Sequence, residues 1–201
     1  EELATGIKNN GALGLVQIFH GGLRAPRSLT GLQPVSSSKN LENGVEEESR
    51  ALSEDEILEL VSSFGEAAER CERAGFDGIE IHGAHGYLIC QFLGTRTNRR
   101  EDRWGGGLEG RSLFLREVIR EVRNRTSDRF LVCVRISPEH DVGVTLGESL
   151  ELSKRRLGWD VDMIHISCWD AFEGPKGNED PRTLTRIFRD ELGADASIIS
   201  T

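Results

Sequence analysis

Two periods of apolar residues alternate along the chain and predict its secondary structure. Short apolar runs of strand length predict five strands, at residues 13–20, 78–82, 130–137, 161–167 and 196–201. Stretches with an apolar residue at every third or fourth position predict helices between them, at residues 54–74, 109–124, 146–157 and 181–192. Strands that alternate with helices of this length are typical of βαβ units and of a parallel sheet.

Local signals predict where several of these elements begin and end. Three helices start with N-cap patterns, which are the capping boxes Ser53 with Glu56 and Thr145 with Glu148, and Asp180 followed by Pro181. Gly75 and Gly193 predict two helix ends. Residues 21–52 are rich in Ser, Pro, Asn and Gly and predict a long loop without regular structure. Such a loop is uncommon in a compact domain and tends to be functional.

Polar side chains share one parity near the C-terminal ends of four predicted strands. They are Gln17 on the first strand, Glu80 and His82 on the second, Arg135 and Ser137 on the third, and His165 and Ser167 on the fourth. The opposite parity is aliphatic, so one face of the sheet packs on helices while the other converges on a polar centre. We expect the amide of Gln17 to be buried and therefore to need hydrogen-bond partners.

This convergence favours an α/β fold of the (β/α)8 TIM-barrel class, because such barrels carry their chemistry at the C-terminal ends of the strands. No Gly-x-Gly-x-x-Gly motif follows a predicted strand, so the dinucleotide-binding open sheet has no support. A complete barrel takes about 250 residues. The chain starts in a helical pattern and stops in a strand-like run. We therefore expect a single partial barrel domain over residues 1–201, with about five of the eight strands present and both ends missing.

Composition and charge narrow the classes of partner. A net charge of −9 argues against a nucleic acid, although a local arginine can still hold a small anionic ligand. The four cysteines show no CxxC spacing, which predicts reduced thiols, no metal site and a cytoplasmic protein. No apolar run reaches membrane-spanning length, and no signal peptide is evident, so we expect no membrane partner.

The stretch 78–88 holds the densest candidate chemistry, because an apolar strand breaks there into a glycine-rich turn. His82, His85 and Tyr87 follow one another at this point, and Tyr87 is the only tyrosine of the chain. Imidazole and phenol groups at a strand end can bind an anionic oxygen and supply a proton. An ordinary turn with satisfied polar groups explains the same pattern, and spacing alone leaves both interpretations open.

Several spaced motifs, in this order, resemble the Old Yellow Enzyme family of FMN-dependent ene-reductases and NADH:flavin oxidoreductases. The motifs are Gln-Ile-Phe-His-Gly-Gly at 17–22, Gly-Ile-Glu-Ile-His-Gly-Ala-His-Gly-Tyr-Leu at 78–88, Arg-Trp-Gly-Gly at 103–106, Val-Arg-Ile-Ser-Pro at 134–138 and Ile-His-Ile-Ser at 164–167. The resemblance extends over residues 11–201, and its departures, at 21–24 and 105–111, fall in loops.

The resemblance implies a cofactor, a reductant and a role for each candidate residue. Gln17 would hydrogen-bond the pyrimidine edge of FMN, and Arg135 would lie near the flavin N1–C2 oxygen region and stabilise the anionic reduced flavin. His82 and His85 would bind the carbonyl or nitro oxygen of an electron-poor alkene. Tyr87 would donate a proton to the carbon alpha to that group, with NADH or NADPH as reductant.

Alternatives stay open at several of these positions. Arg135 can instead form an internal ion pair with Glu80, and His165 is best explained as a packed strand histidine. Trp104 and Trp169 either line the mouth of the site or anchor loops. At the level of the whole chain, the alternatives are a non-catalytic barrel fragment that needs another chain and a flavin barrel of the dienoyl-CoA reductase type. The oligomeric state is open, a homo-oligomer included.

Overall fold

The computed structural model describes residues 1–41, 47–177 and 180–201, without the side chains of 156 and 157. Its strands are β1 (Leu15–Ile18), β2 (Val35–Ser36), β3 (Arg50–Ala51), β4 (Gly78–Gly83), β5 (Leu131–Ile136), β6 (Met163–Ile166) and β7 (Ser197–Ser200). Its helices are α1 (Glu2–Asn9), α2 (Arg27–Thr30), α3 (Glu54–Arg73), α4 (Leu88–Leu93), α5 (Leu108–Arg111), α6 (Leu113–Arg125), α7 (Leu146–Lys154) and α8 (Leu184–Leu192). Short 3-10 helices lie at Gly22–Arg24 and Arg155–Trp159.

The central sheet confirms the predicted fold class. It has five parallel strands in the order β1-β4-β5-β6-β7, so each strand lies beside the next one of the sheet along the chain. A doubly wound sheet reverses its strand order at a switch point, whereas a barrel adds strands in one direction. Among the described residues no reversal occurs, and the sheet is a sector of a (β/α)8 barrel.

The two faces of the sheet differ in the way that the sequence predicts. On the helix side, Ile79 and Ile81 are 0% exposed, and Val134 is buried with them in one core cluster. On the opposite side, the register pairs His82 with Arg135 and Arg135 with His165. The polar side chains of that face are therefore neighbours across three strands.

Aromatic packing joins the loop after α4 to this core. Trp104 is 0% exposed, and the Phe92 and Phe114 ring centroids lie 4.7 Å apart in the same cluster. The Asn98 side chain donates to the backbone oxygen of Trp104 at 2.8 Å and so fixes the loop. Trp104 is therefore a loop anchor, and of the two alternatives the mouth of the site is wrong for this residue.

Of the three predicted helix starts, the first is confirmed, the second is confirmed only in part, and the third is wrong. Ser53 and Glu56 form the complete capping box. Thr145 accepts from the backbone N–H of Glu148, but the Glu148 carboxylate bonds Arg111 and does not complete the second box. The helix predicted to begin after Asp180 begins instead after Thr183, whose side chain accepts from a backbone N–H at 3.2 Å.

Asp180 has a different local partner, which explains the misplaced helix start. Its carboxylate accepts hydrogen bonds from the guanidinium and from the backbone N–H of Arg182. These hydrogen bonds lower the pKa of Asp180 to about 2. A side chain that is occupied in this way two residues along the chain is not available to cap a following helix.

The prediction that residues 21–52 lack regular structure is wrong for the described part of that segment, which excludes 42–46. The segment contains α2 and a small parallel ladder between β2 and β3. Buried Gln91 connects it to α4, because the Gln91 Oε1 accepts from Leu23 N at 3.2 Å and from Ser36 Oγ at 2.9 Å. The Gln91 amide nitrogen donates to Gly86 O at 2.6 Å, so the segment also supports the turn after β4.

The described part of the chain contains no helix whose length and apolar character would let it cross a membrane. The same residues contain no group of three or more His, Cys, Asp or Glu side chains that could hold a metal ion. The four cysteines lie among the described residues and form no disulfide, and Cys90 and Cys133 are buried.

Candidate active site

The turn after β4 brings three ring side chains together. His82 is the penultimate residue of the strand, and the chain then reverses through two residues with positive φ, His85 at 58° and Gly86 at 70°. Tyr87 follows as the N-cap of α4. The His82 ring centroid lies 4.9 Å from that of His85 and 5.1 Å from that of Tyr87, edge-on in both cases. Glycine at 86 suits the left-handed backbone, and a Cβ there would lie 2.9 Å from His140.

His82 presents one nitrogen as a hydrogen-bond donor. Its Nδ1 accepts the backbone N–H of Ala84 at 3.2 Å, so the proton of the neutral ring lies on Nε2. Burial, followed by the charges of His85 and Arg135, lowers the pKa of His82 to about 4. Near neutral pH the side chain is therefore an uncharged imidazole with an Nε2–H group.

His85 is held by contacts to the two following strands of the sheet. Its backbone N–H donates to Ser137 Oγ at 3.1 Å, and its Nε2 lies 2.6 Å from Ser167 Oγ. Ser167 Oγ also accepts from Arg135 Nη2 at 3.0 Å, so its own proton can go to His85 Nε2. That arrangement leaves the His85 proton on Nδ1. Burial and the charge of Arg135 lower the pKa of His85 as well.

Arg135 has an unused donor. Its Nε is buried and has no hydrogen-bond partner among the described residues. The alternative of an ion pair with Glu80 is wrong, since the Glu80 carboxylate bonds Gln17 and His165 instead. Buried donors are normally satisfied. An orphaned guanidinium N–H at the polar end of a barrel therefore fits a cofactor or ligand that carries acceptors.

Glu80 is the centre of a polar network that the sequence pattern did not predict. One carboxylate oxygen accepts from Gln17 Nε2, and the other lies 2.6 Å from His165 Nδ1. His165 Nε2 reaches Thr201 Oγ1 at 3.1 Å, so the histidine is buried as predicted but bridges two polar groups. Gln17 itself is exposed, which contradicts the predicted burial, although its predicted need for a partner is met.

The charge state of Glu80 follows from these partners. Burial raises the pKa of its carboxyl, but the hydrogen bonds from His165 and Gln17 outweigh burial and leave that pKa below its usual value. The signal in the sequence was the shared parity of Gln17, Glu80 and His165. Parity places side chains on one face, but it does not say which of them touch.

An open cavity of about 510 Å³ adjoins this cluster at the C-terminal ends of β5 and β6. Arg135, His85 and Ser167 are among its lining residues, together with His140 and Trp169. Trp169 is 96% exposed and lines this cavity, which favours the mouth of the site over a loop anchor for this residue. The volume is in the range of small-molecule sites.

Comparison with known proteins identifies relatives over most of the chain. A sequence profile described as the NADH:flavin oxidoreductase / NADH oxidase family matches residues 1–166. A probable NADH-dependent flavin oxidoreductase, YqiG of Bacillus subtilis, is 38% identical over 207 residues, which span 100% of this chain and 56% of that protein. An NADH oxidase of Thermoanaerobacter brockii is 39% identical over 170 residues, which span 83% of this chain and 26% of that protein.

Solved structures agree with these sequence relatives. An old yellow enzyme homologue from Zymomonas mobilis superposes with a TM-score of 0.81 at 26% identity, over 99% of this chain and 59% of that chain. Morphinone reductase in complex with tetrahydroNAD superposes with a TM-score of 0.79 at 28% identity, over 98% and 64% of the two chains. The present chain thus spans less than two thirds of the length of each of these proteins.

Proposed function

The chain belongs to the NADH:flavin oxidoreductase / NADH oxidase family, to which Old Yellow Enzyme belongs, and from this premise we propose that it forms the catalytic centre of an FMN-dependent alkene reductase. The reductant is NADH or NADPH, and the substrate is a small alkene activated by a carbonyl or nitro group. One observation carries this proposal: the His82 ring lies about 5 Å from those of both His85 and Tyr87, and His85 shares Ser167 with an arginine whose Nε is unused among the described residues.

The residues present fit FMN. The buried Nε–H of Arg135 has no acceptor in the described part of the chain, as expected beside a flavin ring edge that carries acceptors. Gln17 is exposed on the same face of the sheet and offers an amide, which can both donate and accept. When bound, FMN supplies the transfer of hydride from NAD(P)H to the beta carbon of the alkene.

The two histidines bind and polarise the oxygen of the substrate. His82 is uncharged and donates from Nε2, since its Nδ1 is occupied by the backbone. His85 donates from Nδ1, since Ser167 holds its Nε2. Two fixed donors stabilise the negative charge that develops on the oxygen as the double bond is reduced. Both rings are held by hydrogen bonds, to Ala84 N and to Ser167 Oγ, so little reorganisation is required.

Tyr87 holds the proton that completes the reaction. Its ring stands edge-on to His82 and contacts Phe19 at a centroid distance of 5.1 Å, and this packing beside His82 supports the proposed role. A phenol is a weak acid. Proton donation to the alpha carbon therefore depends on the charge that the histidines draw onto the substrate oxygen.

The substitution Tyr87→Phe in the complete protein tests this proposal, because it removes one hydroxyl and keeps the ring. Oxidation of the reduced flavin by an enone such as cyclohexenone should slow by about 10²–10⁴-fold, the usual contribution of a general acid. Reduction of the flavin by NAD(P)H needs no proton from Tyr87 and serves as the internal control, with a rate within about twofold of the parent. Stopped-flow absorbance near 450 nm follows both half-reactions. Equal slowing of the two would count against the assigned role.

A further inference from the structure

Glu80 lies on the polar face of the sheet without a role in the chemistry above, and its contacts connect four strands, β1, β4, β5 and β6. Given the proposed FMN site, we propose that Glu80 is a positioning residue, which holds the Gln17 amide in the one orientation that the flavin edge requires. Gln17 and Glu80 are register partners on β1 and β4, so their side chains leave the sheet side by side.

The contact between these two residues fixes the sense of the amide. A carboxylate accepts hydrogen bonds and does not donate them, so it binds the Gln17 Nε2 and repels its Oε1. The amide oxygen is thereby turned away from Glu80, and the second N–H of Nε2 stays available. Without the carboxylate, an exposed glutamine samples both senses and several rotamers, and part of its population would present the wrong atom.

Glu80 is itself held in place from the other side. His165 Nδ1 lies 2.6 Å from its second oxygen, and Thr201 Oγ1 lies 3.1 Å from His165 Nε2. The Glu80 side chain on β4 has to cross β5 to reach His165 on β6, and the β5 residue in register with Glu80 is Cys133. The small thiol permits that crossing and contacts Glu80 at 3.6 Å. The orientation of an edge-strand amide is thus set by residues on neighbouring strands.

The same network leaves Arg135 available for the cofactor. Glu80 is the nearest interior carboxylate on the adjoining strand β4, and both of its oxygens are occupied by Gln17 and His165. Arg135 bonds only Ser167 among the described residues and keeps its Nε free. A single carboxylate therefore orients one flavin-facing group and is not drawn into an ion pair with the other.

A double-mutant cycle on FMN affinity separates this role from a merely structural one. The dissociation constant of FMN is measured by quenching of flavin fluorescence, with the complete protein as parent, Glu80→Gln, Gln17→Ala and the double variant. Glu80→Gln replaces a charged acceptor by a neutral one of the same shape and should weaken FMN binding about fivefold. In the Gln17→Ala background the same substitution should change the dissociation constant by less than about 1.5-fold, since its target is absent.

Ser153→Ala is the matched control for the loss of a buried hydrogen bond. Ser153 donates to Ser149 O at 2.8 Å within α7 and touches none of the groups above, so FMN affinity should not change. If Glu80→Gln does not fold, His165→Gln replaces it, and its effect on FMN affinity should likewise vanish without Gln17. The proposal would be overturned if the fold-changes of the two single variants in the FMN dissociation constant multiplied in the double variant, because Glu80 would then act independently of Gln17. Absence of FMN binding by the parent would overturn the proposed function itself and, with it, the role of Glu80.

Discussion

The two faces of β4 place opposite demands on neighbouring residues of one strand. Ile79 and Ile81 face the helices and are completely buried among aliphatic and aromatic side chains. Glu80 and His82 alternate with them and face the polar centre of the barrel, where each depends on hydrogen bonds. Because side chains alternate between the two faces of a strand, residues that stabilise the core and residues that form the polar site are direct neighbours in the sequence.

The energetic terms of the two faces also have opposite signs. Each aliphatic side chain buried on the helix side contributes about 1.5–3 kcal/mol to stability. On the polar side, the pKa of His82 is lowered to about 4 by burial, and Arg135 keeps a buried donor without a partner. The burial of these two polar groups is unfavourable for folding, so the polar face lowers the stability that the helix side provides. Substitutions on each face should reveal this contrast.

The largest expected effect lies on the helix side. Ile81→Ala should lower the free energy of unfolding by about 2–5 kcal/mol, because it removes buried methyl groups and leaves a cavity. Urea denaturation followed by circular dichroism measures the change. Ile199→Ala is the matched control, since Ile199 is 39% exposed on β7 and should lose less than about 1 kcal/mol. Equal losses at the two positions would contradict the distinction between the faces.

The second expected effect comes from the buried imidazole of the polar face. The pKa of His82 falls from 6.5 in the unfolded chain to about 4 in the folded protein, so between these values the unfolded chain binds more protons. His82 therefore gives its full stability above pH 6.5, and about 3 kcal/mol is lost as the pH falls toward 4. The measurement is the free energy of unfolding at several pH values.

The His82→Gln variant should flatten that pH dependence. The pKa values of His85 and His20 are also lowered by burial, so a smaller slope of the same sign should remain. Glu56, whose pKa is lowered to about 2 by its hydrogen bond with Arg50, contributes only below pH 4.5, so the slope between pH 6.5 and 4.5 is free of its effect. An unchanged slope in the variant would show that His82 is not the group responsible.

The smallest expected effect on stability is at Arg135. Arg135→Met removes a buried Nε–H that has no partner among the described residues, which favours folding. It also removes the hydrogen bond to Ser167, which disfavours folding, and the two effects should nearly cancel. We expect a change in the free energy of unfolding within about 1 kcal/mol, together with weaker FMN binding. Arg111→Met is the contrast, because the Arg111 guanidinium donates to Leu93 O, Gly106 O and Glu148, and this variant should lose more stability than Arg135→Met. A large loss at Arg135 would mean that it has a structural role.

What the sequence predicts correctly depends on local information. The order of strand and helix patterns along the chain predicted the parallel sheet, and the alternation of Ile79, Ile81 and Val134 with polar residues predicted its two faces. The capping box of Ser53 and Glu56 spans three residues and was confirmed for the same reason. The cluster of His82, His85 and Tyr87 lies within a single turn, so its convergence could also be anticipated.

What the sequence missed depends on contacts between distant segments. Glu148 has the spacing of a capping box, but Arg111 competes for it from another helix. The bridge from Glu80 to His165 crosses an intervening strand and needs both the register and a small residue on β5. Gln91 reads as an ordinary helix residue, although its buried amide organises the segment before it. Pairings of this kind cannot be read from spacing.

The backbone conformation of His85 restricts which residues can replace it. With φ at 58°, it lies in the left-handed region, which asparagine and aspartate tolerate and β-branched residues do not. Asparagine is therefore the exchange that keeps both the turn and a side-chain N–H donor, whereas valine or threonine would strain the chain before any chemistry was tested. In a mutagenesis library or in neutral drift, variation at this position should be confined to a few residue types by conformation alone.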